Sequence, residues 1–299
     1  MVIKKLNDLF DIAAKQEIKK IVVAAAADLH VLEAVKQAML KGIVKAILVG
    51  NKKEIIEISN SINLDLSKTD IIDINDPISA SKEAVSLIRN GRADILMKGM
   101  VATGPLLKAV LNKETGIRKE GTLSHVAFFE SPYYHKLLCI TDAAMNVTPD
   151  LLEKKAILEN AVEAYHKLGI EKPKVAVISA VELVNPKMEA TVDAAILTQM
   201  NKRKQIKGCE VDGPLALDNI VSKEAAEHKG IESNVAGDAD IILTPDINVG
   251  NVLYKSLNFL GGAISAAVIM GAWVPIVLTS RSDTKETKLL SIALAAAMK

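Results

Sequence analysis

Residues 21–49 read IVVAAAADLHVLEAVKQAMLKGIVKAILV. Ile21 to Ala26 is a short apolar run, Leu32 to Leu40 repeats apolar residues at helical spacing, and Val44 to Val49 is a second apolar run rich in β-branched side chains. A strand that is apolar on both faces belongs inside a parallel sheet, and a helix with one apolar stripe covers it, so the stretch reads β-α-β. The rhythm continues through a strand at Asp70 to Ile74, a helix at Ser79 to Ile88, a strand at Ala93 to Met97 and a helix at Pro105 to Leu111. Such alternation predicts an α/β fold with a mainly parallel sheet and right-handed crossovers.

Around Gly121 the pattern changes. Leu123 to Phe129 and Leu137 to Thr141 are joined by Ser131, Pro132 and Tyr133, which predicts paired strands. A helix is expected from Pro149 to Leu168, with Thr148 as its N-cap and Gly169 just past its end. Further strands are expected at Val175 to Ser179, Gly208 to Val211, Ile241 to Thr244 and Val274 to Thr279, before a last helix from Asp283 to Met298. An irregular middle between two βα-rich ends predicts a first domain of 1–126 plus 267–299 and an inserted second domain of 127–266.

A chain of 299 residues has room for two domains or one large α/β unit. Hydrophobic residues make up 49% but aromatics only 3%, so the core must be built from Ala, Val, Ile and Leu, which favours α/β over a β-sandwich. With 37 basic and 36 acidic side chains the net charge is +1, and no global field draws the protein to nucleic acid or an anionic membrane. The start MVIKKLNDLFDIAAK lacks a secretory pattern and no apolar run reaches the roughly 18 residues of a membrane span, so a cytoplasmic location is expected. Cys139 and Cys209 are far apart in sequence, as free thiols in a reducing compartment would be. Neither a G-x-x-x-x-G-K-[ST] loop nor a G-x-G-x-x-G fingerprint is found, nor any H-E-x-x-H or C-x-x-C spacing, so ATP, NAD and zinc readings lose support and no metal ligands are expected. The run Lys202, Arg203, Lys204 and Lys207 reads as a solvated face, with a grip on the phosphates of a cofactor as the less favoured alternative.

In open α/β sheets ligands gather at the carboxyl ends of the strands, so the residues just after each apolar run are the informative ones. After Ala93 to Met97 come Lys98, Gly99 and Thr103, a cation, a glycine and a hydroxyl before a helix. They suit a phosphate held on backbone N–H groups, and equally an ordinary βα turn. Asp142 and Asn146 come after the strand ending at Thr141 and either orient a ligand group or cap the next helix. Ser124 offers a hydroxyl at a strand start, beside His125, which reads as structural. Asp246 and Asn251 come after the strand at Ile241, before a further helix. Ser280, Arg281 and Asp283 come after the strand ending at Thr279 and are the strongest catalytic candidates, because a guanidinium matches phosphate or a developing oxyanion; Asp283 or a serine there also suits an N-cap.

Five segments then occur in one order: KGMVATGPLLKAVL (98–111), DAAMNVTPD (142–150), CEVDGPLALD (209–218), GDADIILTPDINVGNVLYKSLNFLGG (237–262) and TSRSDT (279–284). Together they resemble the phosphate acetyltransferase and phosphate butyryltransferase family, with the wording of the first and last nearer the butyryl branch. The resemblance implies the two-domain fold of isocitrate and isopropylmalate dehydrogenases, a site in the interdomain cleft, and a homodimer or higher homo-oligomer formed through the second domain. It implies transfer of a short acyl group, butyryl first and acetyl as the alternative, between coenzyme A and inorganic phosphate, with no bound cofactor. Ser280 and Arg281 match the Ser-Arg pair beside the reacting acyl phosphate, Lys98, Gly99 and Thr103 a cleft loop, Lys108 the neighbourhood of an arginine, Ser124 a hydroxyl position, and Asp142 with Asn146 a D-x-x-x-N element. The acetyl branch has an aspartate seven residues after its serine; here Thr287 stands there, with Asp283 and Glu286 nearby. Two other readings are a metal- and NAD-dependent decarboxylating dehydrogenase of the same fold, and an acyl-CoA-binding protein without turnover.

Overall fold

The computed structural model describes residues 3–278 and 283–298. In chain order the elements are α1 (Asp8–Ala14), β1 (Lys19–Ala24), α2 (Leu29–Leu40), β2 (Val44–Gly50), α3 (Lys52–Ser61), β3 (Asp70–Asp73), α4 (Pro77–Arg89), β4 (Ile95–Lys98), α5 (Thr103–Val110), β5 (Ser124–Glu130) and β6 (Leu138–Thr141). They continue with α6 (Leu151–Lys167), β7 (Lys174–Ile178), α7 (Glu189–Lys202), β8 (Glu210–Leu215), α8 (Leu217–Val221), α9 (Lys223–His228), β9 (Ile241–Leu243), α10 (Ile247–Phe259), β10 (Ile264–Met270), β11 (Ile276–Val277) and α11 (Lys285–Ala297). Among the described residues no helix is long and apolar enough to cross a membrane.

The chain divides into two compact units, Asn7–Glu120 with Ala266–Lys299, and Met1–Leu6 with Gly121–Ser265. In the first, strands run in the order β3-β2-β1-β4-β11-β10. All pairs are parallel except β11 with β10. Central β1 explains the order: Ile21, Val22, Val23 and Ala24 are wholly buried, so it needs neighbours on both edges and cover on both faces. Helix starts are specified locally: Asp28 accepts from the Val31 N–H before α2, and Asp76 from the Ser79 N–H before α4, whose first residue is Pro77.

In the second unit the order is β5-β6-β9-β7-β8. β5 and β6 form the expected antiparallel pair, in register at Phe128↔Cys139, and the rest is parallel. In its core Phe128 stacks on Tyr165 at 5.0 Å between ring centres, and the Tyr165 hydroxyl donates to the Asp240 carbonyl at 2.7 Å. Asp238 and Asp240, which precede β9, tie the starts of three strands together. Lys174 Nζ meets Asp238 at 2.6 Å, Lys136 Nζ meets Asp240 at 2.8 Å, and the Lys174 N–H donates to Asp240 at 2.7 Å. A buried pair, Lys154 with Asp193 at 2.6 Å, joins α6 to α7.

Several expectations need correction. Residues 121–126 belong to the second unit, not the first, because β5 begins at Ser124 and pairs with β6; the return falls at Ala266 rather than 267. Strand β10 was not foreseen. The long helix starts at Leu151, capped by Asp150 in a reciprocal pair with Glu153, not by Thr148. Thr284 caps α11 by accepting from the Thr287 N–H, so Asp283 is not the N-cap.

Candidate active site

In the first unit β4 delivers Lys98 and Gly99 to its carboxyl end. The Gly99 N–H donates to the Ala24 carbonyl at 2.9 Å and the Met100 N–H to that of Ala25 at 2.7 Å. A Cβ at position 99 would run into the Ala25 carbonyl, so the loop can lie against β1 only with glycine here. Lys98 Nζ donates to the carbonyls of Gly99 and Val101 at 3.2 and 3.3 Å, which folds the ammonium over its own loop. Thr103 is the first residue of α5, and the preceding Ala102 has no side-chain oxygen to cap the N–H groups of the first turn. Lys108 is exposed on α5 and borders a groove of about 1160 Å³ between α4 and α5. Ile74, Ile78, Val85 and Pro105 line its apolar part, and Lys82 and Arg89 supply two more cations. Asp283 is half-buried and its carbonyl accepts from Lys288 Nζ at 2.6 Å. Ser280 and Arg281 lie outside the described residues.

In the second unit Asp142, Asn146, Ser124 and Asn251 are brought into one hydrogen-bonded network. Asp142 is buried. Its Oδ1 accepts from the Ala144 and Met145 N–H groups at 2.8 and 3.0 Å, and its Oδ2 from the Asn146 N–H at 3.1 Å and Asn146 Nδ2 at 2.5 Å. Four donors use the acceptor capacity of a carboxylate, so Asp142 organises the loop 142–146 and is not a free base. Asn146 Nδ2 also donates to the Leu123 carbonyl at 2.9 Å, and Thr122 Oγ1 donates to Asn146 Oδ1 at 3.1 Å. Ser124 is wholly buried, and its Oγ accepts from Asn160 Nδ2 at 2.9 Å. Asn251 Nδ2 donates to the Ala143 carbonyl at 3.1 Å, whereas Asp246 caps α10 by accepting from the Asn248 and Val249 N–H groups. Thr244 Oγ1 donates to the Asp142 carbonyl at 2.9 Å, and a Cβ on Gly250 would strike that same carbonyl.

Sequence reasoning missed Thr122 and Asn160. One signal was available: Asn160 interrupts the face of α6 that carries Ile157, Ala161 and Ala164, all buried. His125 is buried edge-on to Tyr254 at 5.6 Å. The thiols are poor nucleophiles, since burial raises Cys139 far above the usual range and pushes Cys209 up to about 12.

The profile of the family described as phosphate acetyl/butaryl transferase matches residues 6–82 and 75–296. The chain belongs to this phosphate acyltransferase family. A phosphate butyryltransferase of Clostridium acetobutylicum is 49% identical over 294 residues, covering 98% of each chain. A phosphate acetyltransferase of Thermotoga maritima is 46% identical over 296 residues, covering 99% of each. Among solved structures, a branched-chain phosphotransacylase from Enterococcus faecalis superposes with a TM-score of 0.84 at 37% identity, over 94% of this chain and 98% of that one. The 4-hydroxythreonine-4-phosphate dehydrogenase of Klebsiella pneumoniae shares the fold, with a TM-score of 0.58 at 15% identity over 94% of this chain and all of that one. Membership in the phosphate acyltransferase family thus rests on nearly the whole chain, and the α/β fold extends to proteins of other activity.

Proposed function

We propose that this protein moves a short acyl group, butyryl before acetyl, between coenzyme A and inorganic phosphate. The observation that carries the reading is identity near one half, over almost the full length, to a phosphate butyryltransferase. The groove beside Lys108 supports it: apolar residues suit the thin pantetheine arm, and Lys82, Arg89 and Lys108 suit the phosphates of coenzyme A. The acetyl alternative is supported by a relative nearly as similar. In this reading phosphate attacks the thioester carbonyl and the thiolate leaves; in reverse, thiolate attacks the acyl phosphate. In the same reading Arg281 stabilises the oxyanion, with Ser280 and Asp283 as its catalytic partners. Lys98, Gly99 and Thr103 present the loop before α5 to the anionic substrate.

The same reading takes the two-domain arrangement of isocitrate and isopropylmalate dehydrogenases, which the fold shared with 4-hydroxythreonine-4-phosphate dehydrogenase supports. It takes a cytoplasmic location, in keeping with free thiols at Cys139 and Cys209. It also takes a homodimer or higher homo-oligomer formed through the second unit. Support comes from α10, a largely apolar helix of which only Gly250 is buried. Val249, Val252 and Phe259 are exposed at i, i+3 and i+10 on one face, continued by Leu260.

Measuring free coenzyme A released from butyryl-CoA, with and without phosphate, tests the activity. Release that needs phosphate supports the transferase; equal release without it points to a hydrolase, and binding without release to a carrier.

A further inference from the structure

Helices α4 and α5 both leave the carboxyl edge of the first unit's sheet, after β3 and β4, and run in the same sense towards its amino edge. The groove of about 1160 Å³ between them therefore has two distinct ends. Its mouth, at the helix starts, is apolar: Ile74, Ile78 and Pro105 line it, next to Thr103, the first residue of α5. Lys82 and Lys108 are each the sixth residue of their helix, so two exposed ammonium groups stand about 7.5 Å along. Arg89, the last residue of α4, comes about 10 Å further on, at the far end. Among the described residues the lining sets these three cations against one acid, Glu83.

Arg89 is exposed but held. Its guanidinium lies over the Trp273 ring at 5.7 Å, and Nη1 donates to the Gly116 carbonyl at 3.1 Å. Two contacts set the plane of the fork, which has further N–H groups to offer an anion. The carbonyl end of a helix disfavours negative charge, so a phosphate at this end of the groove depends on the side chain and not on the α4 backbone. An apolar mouth, then two ammonium groups, then a fixed guanidinium is also the order of groups along coenzyme A: the pantetheine arm behind the thiol, the 5′-diphosphate, and the 3′-phosphate on the ribose.

We propose that α4 carries the determinant by which this protein selects coenzyme A over its 3′-dephospho form: Arg89, held against Trp273, takes the 3′-phosphate, while Lys82 and Lys108 take the diphosphate. The inference rests on the phosphate acyltransferase reading above and gives the groove a direction, with the thioester at the loop before α5.

The experiment titrates the purified protein with coenzyme A and with 3′-dephospho-coenzyme A and reads the emission of Trp273, the only tryptophan in the sequence, whose ring carries the Arg89 guanidinium. Coenzyme A should change the emission with a midpoint roughly tenfold to a hundredfold lower than the dephospho form, the scale of one hydrogen-bonded charge contact. In Arg89→Ala the two midpoints should converge to within about twofold. Arg89→Gln, which keeps much of the length but not the charge, should behave alike and serves in its place if alanine prevents folding. Lys113→Ala removes an exposed cation of the same unit that does not line the groove, and it should keep the gap. The ratio of kcat/KM for butyryl-CoA to that for its 3′-dephospho analogue, measured with phosphate, should follow the same pattern across the variants. Equal midpoints in the wild type, a gap that survives in the Arg89 variants, or a gap lost as fully in Lys113→Ala would each overturn the assignment. A wild type that shows the gap but no phosphate-dependent release from butyryl-CoA would overturn the transferase reading and leave the subsite standing, so the two failures are separable.

Discussion

At position 99 the identity of the side chain is dictated by a neighbour's backbone. Gly99→Ala would drive a methyl group into the Ala25 carbonyl, so the loop before α5 must shift. We expect a loss of about 2 kcal/mol in stability, read as a lower thermal midpoint, together with reduced turnover. The proposed role of Arg281 is the opposite case, a charge that would act on the reaction. Arg281→Ala should lower kcat about 100-fold or more with the midpoint within a few degrees, and Arg281→Lys should recover only part, since lysine lacks the planar fork. Steady-state kinetics and thermal melts on the same preparations check both. Lys98, Gly99 and Thr103 stand out in the sequence as candidates because they come after an apolar run that reads as a buried strand. Asp142 is a sequence candidate of ambiguous role, and in the structure its carboxylate accepts from four donors of its own loop. Asn160 was not picked out, since its partners lie more than thirty residues away.

Among elements, the start of β9 carries the clearest pH signature. Burial raises the Asp238 carboxyl, but hydrogen bonds from Lys174, His135 and Lys136 outweigh it and hold the group below the usual carboxylate range. The folded chain then binds this proton less readily than the unfolded chain. The stabilisation is fully present above about pH 4 and is lost as the pH falls through the lower folded value. Asp238→Asn should therefore lower the thermal midpoint at neutral pH, and the gap to the wild type should narrow below about pH 4. A gap unchanged down to about pH 2 would contradict the ion-pair account. Strands β1, β2 and β4 were readable because turn residues and helical periods flank them. β10 was not, since ISAAVIM is apolar but for Ser265 and its period distinguishes neither strand nor helix, and it lies at the junction of the two units. Helix limits slipped by about two residues where several capping residues compete, as at Thr148 and Asp150.

For the whole molecule, the α/β class and the discontinuous division into two units were visible in the alternation of runs. The structural division falls at Gly121, where the sequence pattern changes, whereas the sequence reading set it after residue 126. Exposure of α10 predicts association: Val252→Glu should convert the assembly to smaller species in sedimentation velocity, while an assembly unchanged by it would remove α10 from the interface. The central claim is tested most directly by kcat/KM for butyryl-CoA and acetyl-CoA, measured side by side with phosphate and EDTA on the purified protein. Two extra methylenes in an apolar pocket are worth about 0.8 kcal/mol each, so the account predicts turnover of both with butyryl favoured roughly tenfold. Equal or better efficiency with acetyl-CoA would contradict the butyryl assignment, and the absence of phosphate-dependent release from either thioester would contradict the acyltransferase itself.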